Sequence, residues 1–176
     1  MRIISGSHKG RTIVPPRNFR ARPTTDFAKE SLFNVLNNIT DIVDSEILDL
    51  FAGTGSISLE FASRGAKKVD TVEINKIHHA FIRETVSKFG LEQIHAIKTN
   101  ALKFILFCTA TYDIIFADPP YEMPDIDKIP DTIFEYNLLK TNGLLIMEHS
   151  EKYDFSSHPK FYDNRNYGSV NFTFFK

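Results

Sequence analysis

One stretch of the chain ends an apolar run abruptly in groups that can do chemistry: Ile114-Ile115-Phe116-Ala117-Asp118-Pro119-Pro120-Tyr121. The run has the length of a single buried strand, and two prolines stop chain extension directly behind the acid. Neither proline can donate a backbone hydrogen bond, so the carbonyls of Asp118 and Pro119 are expected to stay free as acceptors. Tyr121 adds a flat face beside them. A planar heterocycle with an exocyclic amino group matches that set of acceptors and stacking surface. The segment can also be read as no more than a strand-ending turn, a reading that the glycine turn upstream weighs against.

Upstream, Ile47-Leu48-Asp49-Leu50-Phe51-Ala52-Gly53-Thr54-Gly55-Ser56 reads as a strand, a glycine turn and a helix start. Gly53 and Gly55 let the backbone pass close to a ligand, and the helix start supplies free amides. A glycine pair after a strand is weak by itself. Glu73 strengthens it, since it closes the next expected strand about 20 residues later, where an acid can accept from ribose hydroxyls. A dinucleotide site wants a third small residue under a pyrophosphate, and Ser58 stands there. Asp49 would repel a pyrophosphate but attract the ammonium of a methionine moiety, which favours S-adenosylmethionine over NAD; its bland role is an acid capping the turn. Asn100-Ala101 follows the third strand, where a side-chain amide could bind adenine or simply cap a helix.

These residues need a frame, and the hydrophobic pattern supplies one. From residue 46 onward strands and helices alternate, which implies an α/β fold with a parallel sheet and crossover helices. Strands are expected at 46–50, 69–73, 94–98, 112–117 and 143–148, and helices near 56–64, 75–89, 100–108 and 130–139. Two closing strands around Lys160-Phe161-Tyr162 and Val170–Phe175 should pair antiparallel. Asp118 then sits at the C-terminal edge of the sheet, the edge where open α/β sheets bind ligands. In front, residues 2–5 and 11–14 suggest a hairpin around Gly6-Ser7-His8-Lys9-Gly10, and Thr24, Thr25 and Asp26 start a helix whose stripe is Ala28, Leu32, Val35, Leu36 and Ile39.

With 176 residues, 42% hydrophobic and 24% charged, the chain has the composition of one globular domain. Its net charge of -1 hides an asymmetry. Residues 1–30 hold seven Lys and Arg against two acids, so a basic arm precedes an acidic body. Such an arm is either solvated or a contact surface for phosphates. The lone Cys108 excludes an internal disulfide, and none of the six histidines has a second ligand at metal spacing, so no metal site is expected. No run reaches membrane-spanning length, and no signal peptide precedes the core, so a cytoplasmic protein is expected.

The ordered set Asp49-Leu50-Phe51-Ala52-Gly53-Thr54-Gly55, Glu73 and Asp118-Pro119-Pro120-Tyr121 resembles the class I S-adenosylmethionine-dependent methyltransferases that modify exocyclic amino groups. With Gly6-Ser7-His8-Lys9-Gly10-Arg11, Arg22-Pro23-Thr24-Thr25-Asp26 and Leu32-Phe33-Asn34 in front, the chain is similar to the RsmD family of 16S rRNA guanine-N2 methyltransferases from residue 2 to about 150. The resemblance implies a Rossmann-like class I methyltransferase fold, with a mostly parallel central sheet, antiparallel C-terminal strands, helices on both faces and a small N-terminal β-hairpin. Residues 1–23 would be a dependent basic arm and 24–176 the methyltransferase domain. It further implies that Asp49, Phe51, Gly53, Gly55 and Glu73 bind the cofactor, with Ile74 on its adenine. Asp118, Pro119 and Tyr121 would hold the base; where the family's turn often ends in Phe, this chain has Tyr121. Arg22 and Thr24 would touch cofactor or RNA.

Partners follow from the same reading. Lys9, Arg11, Arg17, Arg20 and Arg22 are expected to meet RNA phosphates. The substrate would be 16S rRNA in a small ribosomal subunit or its assembly intermediate, approached by a monomer. The main rival is a DNA adenine-N6 or cytosine-N4 amino methyltransferase. Such an enzyme usually carries a region for reading DNA sequence, and only about 45 residues precede the core. A small-molecule methyltransferase would leave the arm without a purpose, and a non-catalytic RNA-binding module would need neither Asp118 nor Glu73.

Overall fold

A computed structural model of the chain describes residues 1–16, 19 and 25–176. Seven strands form one sheet in the order β3-β2-β1-β4-β5-β7-β6. β1 (Glu46–Leu50), β2 (Lys68–Val72), β3 (Ile94–Ile97), β4 (Tyr112–Ala117) and β5 (Leu139–His149) run parallel, while β7 (Val170–Phe175) and β6 (Phe161–Tyr167) close the sheet antiparallel. The strand order reverses between β1 and β4, so the crevice for a ligand opens where their C-terminal ends diverge.

The helices divide between the two faces. Strand residues Ile47, Val69, Ile114, Phe116, Leu144 and Ile146 share one core with α1 (Asp26–Ile39), α2 (Ser56–Ser63) and flanking residues of α3 (Lys76–Phe89). Leu48, Leu50, Ile115, Ala117, Leu145 and Met147 pack the opposite face against α4 (Ala101–Phe107) and α5 (Ile129–Glu135). Each strand therefore sends alternate apolar side chains to both layers, which is why the central strands read as continuous apolar runs.

Two boundaries differ from the sequence expectation by more than one residue. The helix expected near 130–139 ends at Glu135, and β5 begins at Leu139 rather than 143. Between Tyr112↔Leu139 and Ile114↔Leu144 the register jumps, with Asn142 at φ 64° in the extra loop of β5. A polar Lys140-Thr141-Asn142-Gly143 bulge inside a strand breaks the period-2 signal, so periodicity hides the first turn of pairing. The N-terminal hairpin likewise narrows to one antiparallel bridge, Arg2↔Thr12, because its residues pair over only a few bonds before Gly10 turns at φ 82°. It is pinned instead from below. Ile3 and Ile13 are buried in the α1/α2 core, and the carboxylate of Glu60, itself buried, accepts from the amides of Ile4 and Ser5 at 2.7 and 3.0 Å.

Candidate active site

Four acids end neighbouring strands on one edge of the sheet. Asp49 lies in β1 and Glu148 in β5, on the side facing α1 and α2; Glu73 follows β2 and Asp118 follows β4. Since Ala117 pairs with Met147, the next residues Asp118 and Glu148 stand side by side.

The glycine turn between β1 and α2 is built from left-handed residues: Phe51 at φ 63°, Gly53 at 54° and Gly55 at 73°. Glycine adopts this conformation freely, whereas Phe51 holds it at a cost of about 1 to 2 kcal/mol, a strain that functional turns tolerate. Gly55 has a second reason to lack a side chain, because a Cβ there would lie 3.0 Å from Cγ1 of Ile82. Glu73 fastens the turn. One carboxylate oxygen accepts the Gly53 amide at 2.8 Å, the other accepts the Asn75 amide at 2.6 Å, and His78 stands 3.8 Å away. Each oxygen keeps a second lone pair, so the same carboxylate can still accept from a ribose hydroxyl.

Asp49 is buried, and its Oδ2 accepts both the amide of Ser58, at 3.1 Å, and the Ser58 hydroxyl. The capping role considered from the sequence is thus present, using one oxygen. Burial, aided by the nearby charge of Glu73, pushes its carboxyl up to about 7, against the Ser58 hydrogen bonds that favour the charged form. Asn100 caps α4 by accepting from Lys103 at 3.0 Å, and Ala101 beside it is buried. Ile74 exposes 62% of its surface directly after Glu73, an apolar face open to a flat ring.

At the other half of the edge, the amide of Asp118 donates weakly to Leu50 at 3.5 Å, tying the acid to the end of β1. Burial raises its carboxyl well above the usual range, and the neighbouring charges of Glu148 and Asp49 raise it further. Among the described residues no backbone amide donates to the carbonyls of Asp118 or Pro119, whereas Pro120 accepts from Met123 at 2.8 Å. Pro119 is buried and Tyr121 is 47% exposed. The geometry can therefore offer a carboxylate, two backbone acceptors and an aromatic face to one planar amine.

Sequence reasoning missed Glu148. Its signal was available, since Met147-Glu148-His149 ends the β5 apolar run as Asp118 ends that of β4, but without a proline or glycine marker. The arm residues fall differently. Lys9 and Arg11 are exposed on the hairpin end that rests on Ser63 of α2 and Phe89 of α3, with the Arg11 guanidinium 5.0 Å from the Phe89 ring. That is the opposite end of both helices from the glycine turn, so neither stands beside Asp118. Arg17, Arg20, Arg22 and Thr24 lie outside the described residues. Phe19 stacks on His78 at 3.9 Å, bringing the arm over the start of α3. Two depressions, of about 540 and 320 Å³, are lined around Thr40, Asp41 and Val43 at the far edge of the sheet and contain none of these residues.

A family model described as conserved hypothetical protein 95 matches residues 1–176. The chain belongs to the RsmD family. It is 33% identical over 148 residues to ribosomal RNA small subunit methyltransferase D of Escherichia coli strain K12, covering 84% of this chain and 71% of that protein. A solved putative methyltransferase from Escherichia coli superposes with a TM-score of 0.86 at 26% identity, covering 99% of this chain and 96% of that one. A more distant putative methyltransferase, complexed with SAH, shares the fold with a TM-score of 0.67 at 18% identity, covering 84% and 49%. The Escherichia coli relative of this RsmD family member is thus an rRNA methyltransferase by name, and the fold here is Rossmann-like.

Proposed function

We propose that the protein transfers a methyl group from S-adenosylmethionine to the exocyclic N2 amine of a guanine in small-subunit rRNA, acting as a cytoplasmic monomer on a partly assembled subunit. The observation that carries this reading is the pairing of two half-sites on one sheet edge: the Glu73-fastened glycine turn, and the Asp118-Pro119-Pro120-Tyr121 turn with its open carbonyls.

The residues fit the cofactor. Glu73 can receive ribose hydroxyls, Ile74 can carry the adenine, Asn100 and Ala101 border the ring, and the second oxygen of Asp49 can face the methionine ammonium. The bound cofactor supplies an electrophilic methyl on a sulfonium. Guanine N2 is a poor nucleophile because its lone pair is delocalised into the ring. Asp118 and the Pro119 carbonyl, accepting its two N–H groups, favour the pyramidal amine and stabilise the positive charge that grows on nitrogen. N2 would take the methyl from the sulfonium with cleavage of the S–C bond, and Asp118 or water would take the surplus proton from N2. Tyr121 would stack on the base, which has to leave its helix to reach the edge.

Mass spectrometry of small-subunit rRNA before and after treatment with the protein tests the assignment. We expect N2-methylguanine at one position, and Asp118→Ala should lose at least 100-fold in kcat while holding the cofactor with unchanged Kd. Labelling of duplex DNA in preference to every RNA substrate would overturn it in favour of the DNA amino methyltransferase.

A further inference from the structure

The first turn of α1 carries a large apolar side chain that the core does not use. Phe27 is 69% exposed, off the stripe of Ala28, Leu32 and Leu36 that packs on the sheet. A single exposed ring is ordinary. This one is paired: it meets Tyr167, the last residue of β6, edge to face at 6.2 Å and 82°. Tyr167 in turn lies 6.1 Å from Phe172, and Phe172 pairs across the sheet with Glu148, the neighbour of Asp118. The aromatic pair thus sits on the same face and edge of the sheet as the candidate base site, three strands along, or about 14 Å at the usual strand spacing.

Two arginines stand beside it, each next to an acid. Arg2, with a side chain 63% exposed, pairs loosely at 3.7 Å with Asp26, the residue before Phe27. Arg165, 52% exposed, is two residues before Tyr167 on the same face of β6. Both pair with a neighbouring acid at the surface, a type of contact that phosphate can exchange at little cost. Aromatic faces between arginines are what unstacked bases and their phosphates bind, whereas an aliphatic patch would suit a protein helix.

We propose that Phe27 and Tyr167 form a stacking platform for a nucleobase of the RNA strand flanking the methylated guanine, with Arg2 and Arg165 against its phosphates. This rests on the rRNA reading above and adds to it a second contact point, which would hold the strand extended while the target base is out of its stack. Stacking of one base is worth about 1 to 3 kcal/mol, or roughly 5- to 150-fold in affinity.

The test uses the full-length protein and an rRNA segment spanning the methylated guanine, with 2-aminopurine placed in turn at each flanking position. At one position wild type should quench the fluorescence on binding. Phe27→Ala and Phe27→Leu should both lose that quenching and raise KM for RNA about tenfold, at unchanged kcat and unchanged cofactor Kd; Phe27→Trp should restore both. Phe27 is exposed, so these variants fold, and the Leu variant separates a ring from mere apolar surface. No quenching at any position, or a Leu variant equal to wild type, overturns the platform while guanine methylation stands. A defect seen only when ribosomal proteins are present assigns the patch to a protein contact and equally overturns it. Should wild type methylate no guanine, the function falls first and the platform with it.

Discussion

At Asp118 the pH dependence of the proposed reaction would be set by neighbours as much as by the residue. Its carboxyl is raised by burial and then by Glu148 and Asp49, so the acceptor is lost as pH falls through a value above the ordinary carboxylate range. Glu148→Gln removes one of those charges. The acid limb of kcat/KM should move to lower pH, read from a pH–rate profile; the limb reports the coupled group of carboxylates, and an unmoved limb would show that Glu148 does not face Asp118. Asp49 shows the same physics as stability. With a folded value of about 7 against an ordinary 3.8, its contribution is fully present below pH 3.8 and is lost as pH rises through 7. Asp49→Asn should therefore raise unfolding stability by on the order of 2 kcal/mol at pH 8 and leave it unchanged near pH 3.5, measured by urea denaturation at both pH values. The same variant should bind S-adenosylmethionine more weakly at pH 8, the exchange of stability for function that active sites often show.

Among the elements, α2 is the hub that joins cofactor turn, hairpin and α1. Its Glu60 is fully buried, accepts from the hairpin amides and from Arg64 at 2.8 Å, and stands 3.9 Å from the ammonium of Lys29. Lys29 is also fully buried; it donates to the Arg2 carbonyl at 2.6 Å and to Ser56, the first residue of α2, at 3.0 Å. Burial lowers the pKa of Lys29, while Glu60 and Asp26 oppose the shift. Removing one member of such a group strands the other charge in the interior, so Glu60→Ala should cost about 3 kcal/mol in urea unfolding. Lys29→Met with Glu60→Leu should recover part of that loss, because the stranded charge goes too. Retention of full stability by Glu60→Ala would show that the hairpin is held without this carboxylate, by burial of Ile3 and Ile13 and by its hydrogen bonds to Ser63.

Over the whole molecule, exposed basic groups stand at two distances from the candidate site. Lys9 and Arg11 occupy the end of the hairpin over Ser63 and Phe89, while Arg2 stands by the start of α1. If both ends touch phosphates, the footprint extends well beyond the methylated base, which fits recognition of a folded particle by shape. Lys9→Ala with Arg11→Ala should weaken binding to the small subunit and lower the slope of log affinity against log salt by about 2, with kcat at saturation unchanged. An unaltered slope would make the hairpin end a solvated surface.

What the sequence determined by itself was everything encoded by neighbours along the chain. The alternating periods gave the parallel sheet, the glycine pair Gly53 and Gly55 marked the tight turn between β1 and α2, and the two prolines behind Asp118 gave the open carbonyls. Tertiary structure alone decided what crosses between elements. It placed Glu148 beside Asp118, put the arm's Phe19 on His78, buried Lys29 against Glu60, joined Phe27 to Tyr167, and carried Lys9 and Arg11 away from the site. The physical reason is that strand register and helix placement are fixed by burying both faces of the sheet at once, a condition on the whole chain that no local period expresses.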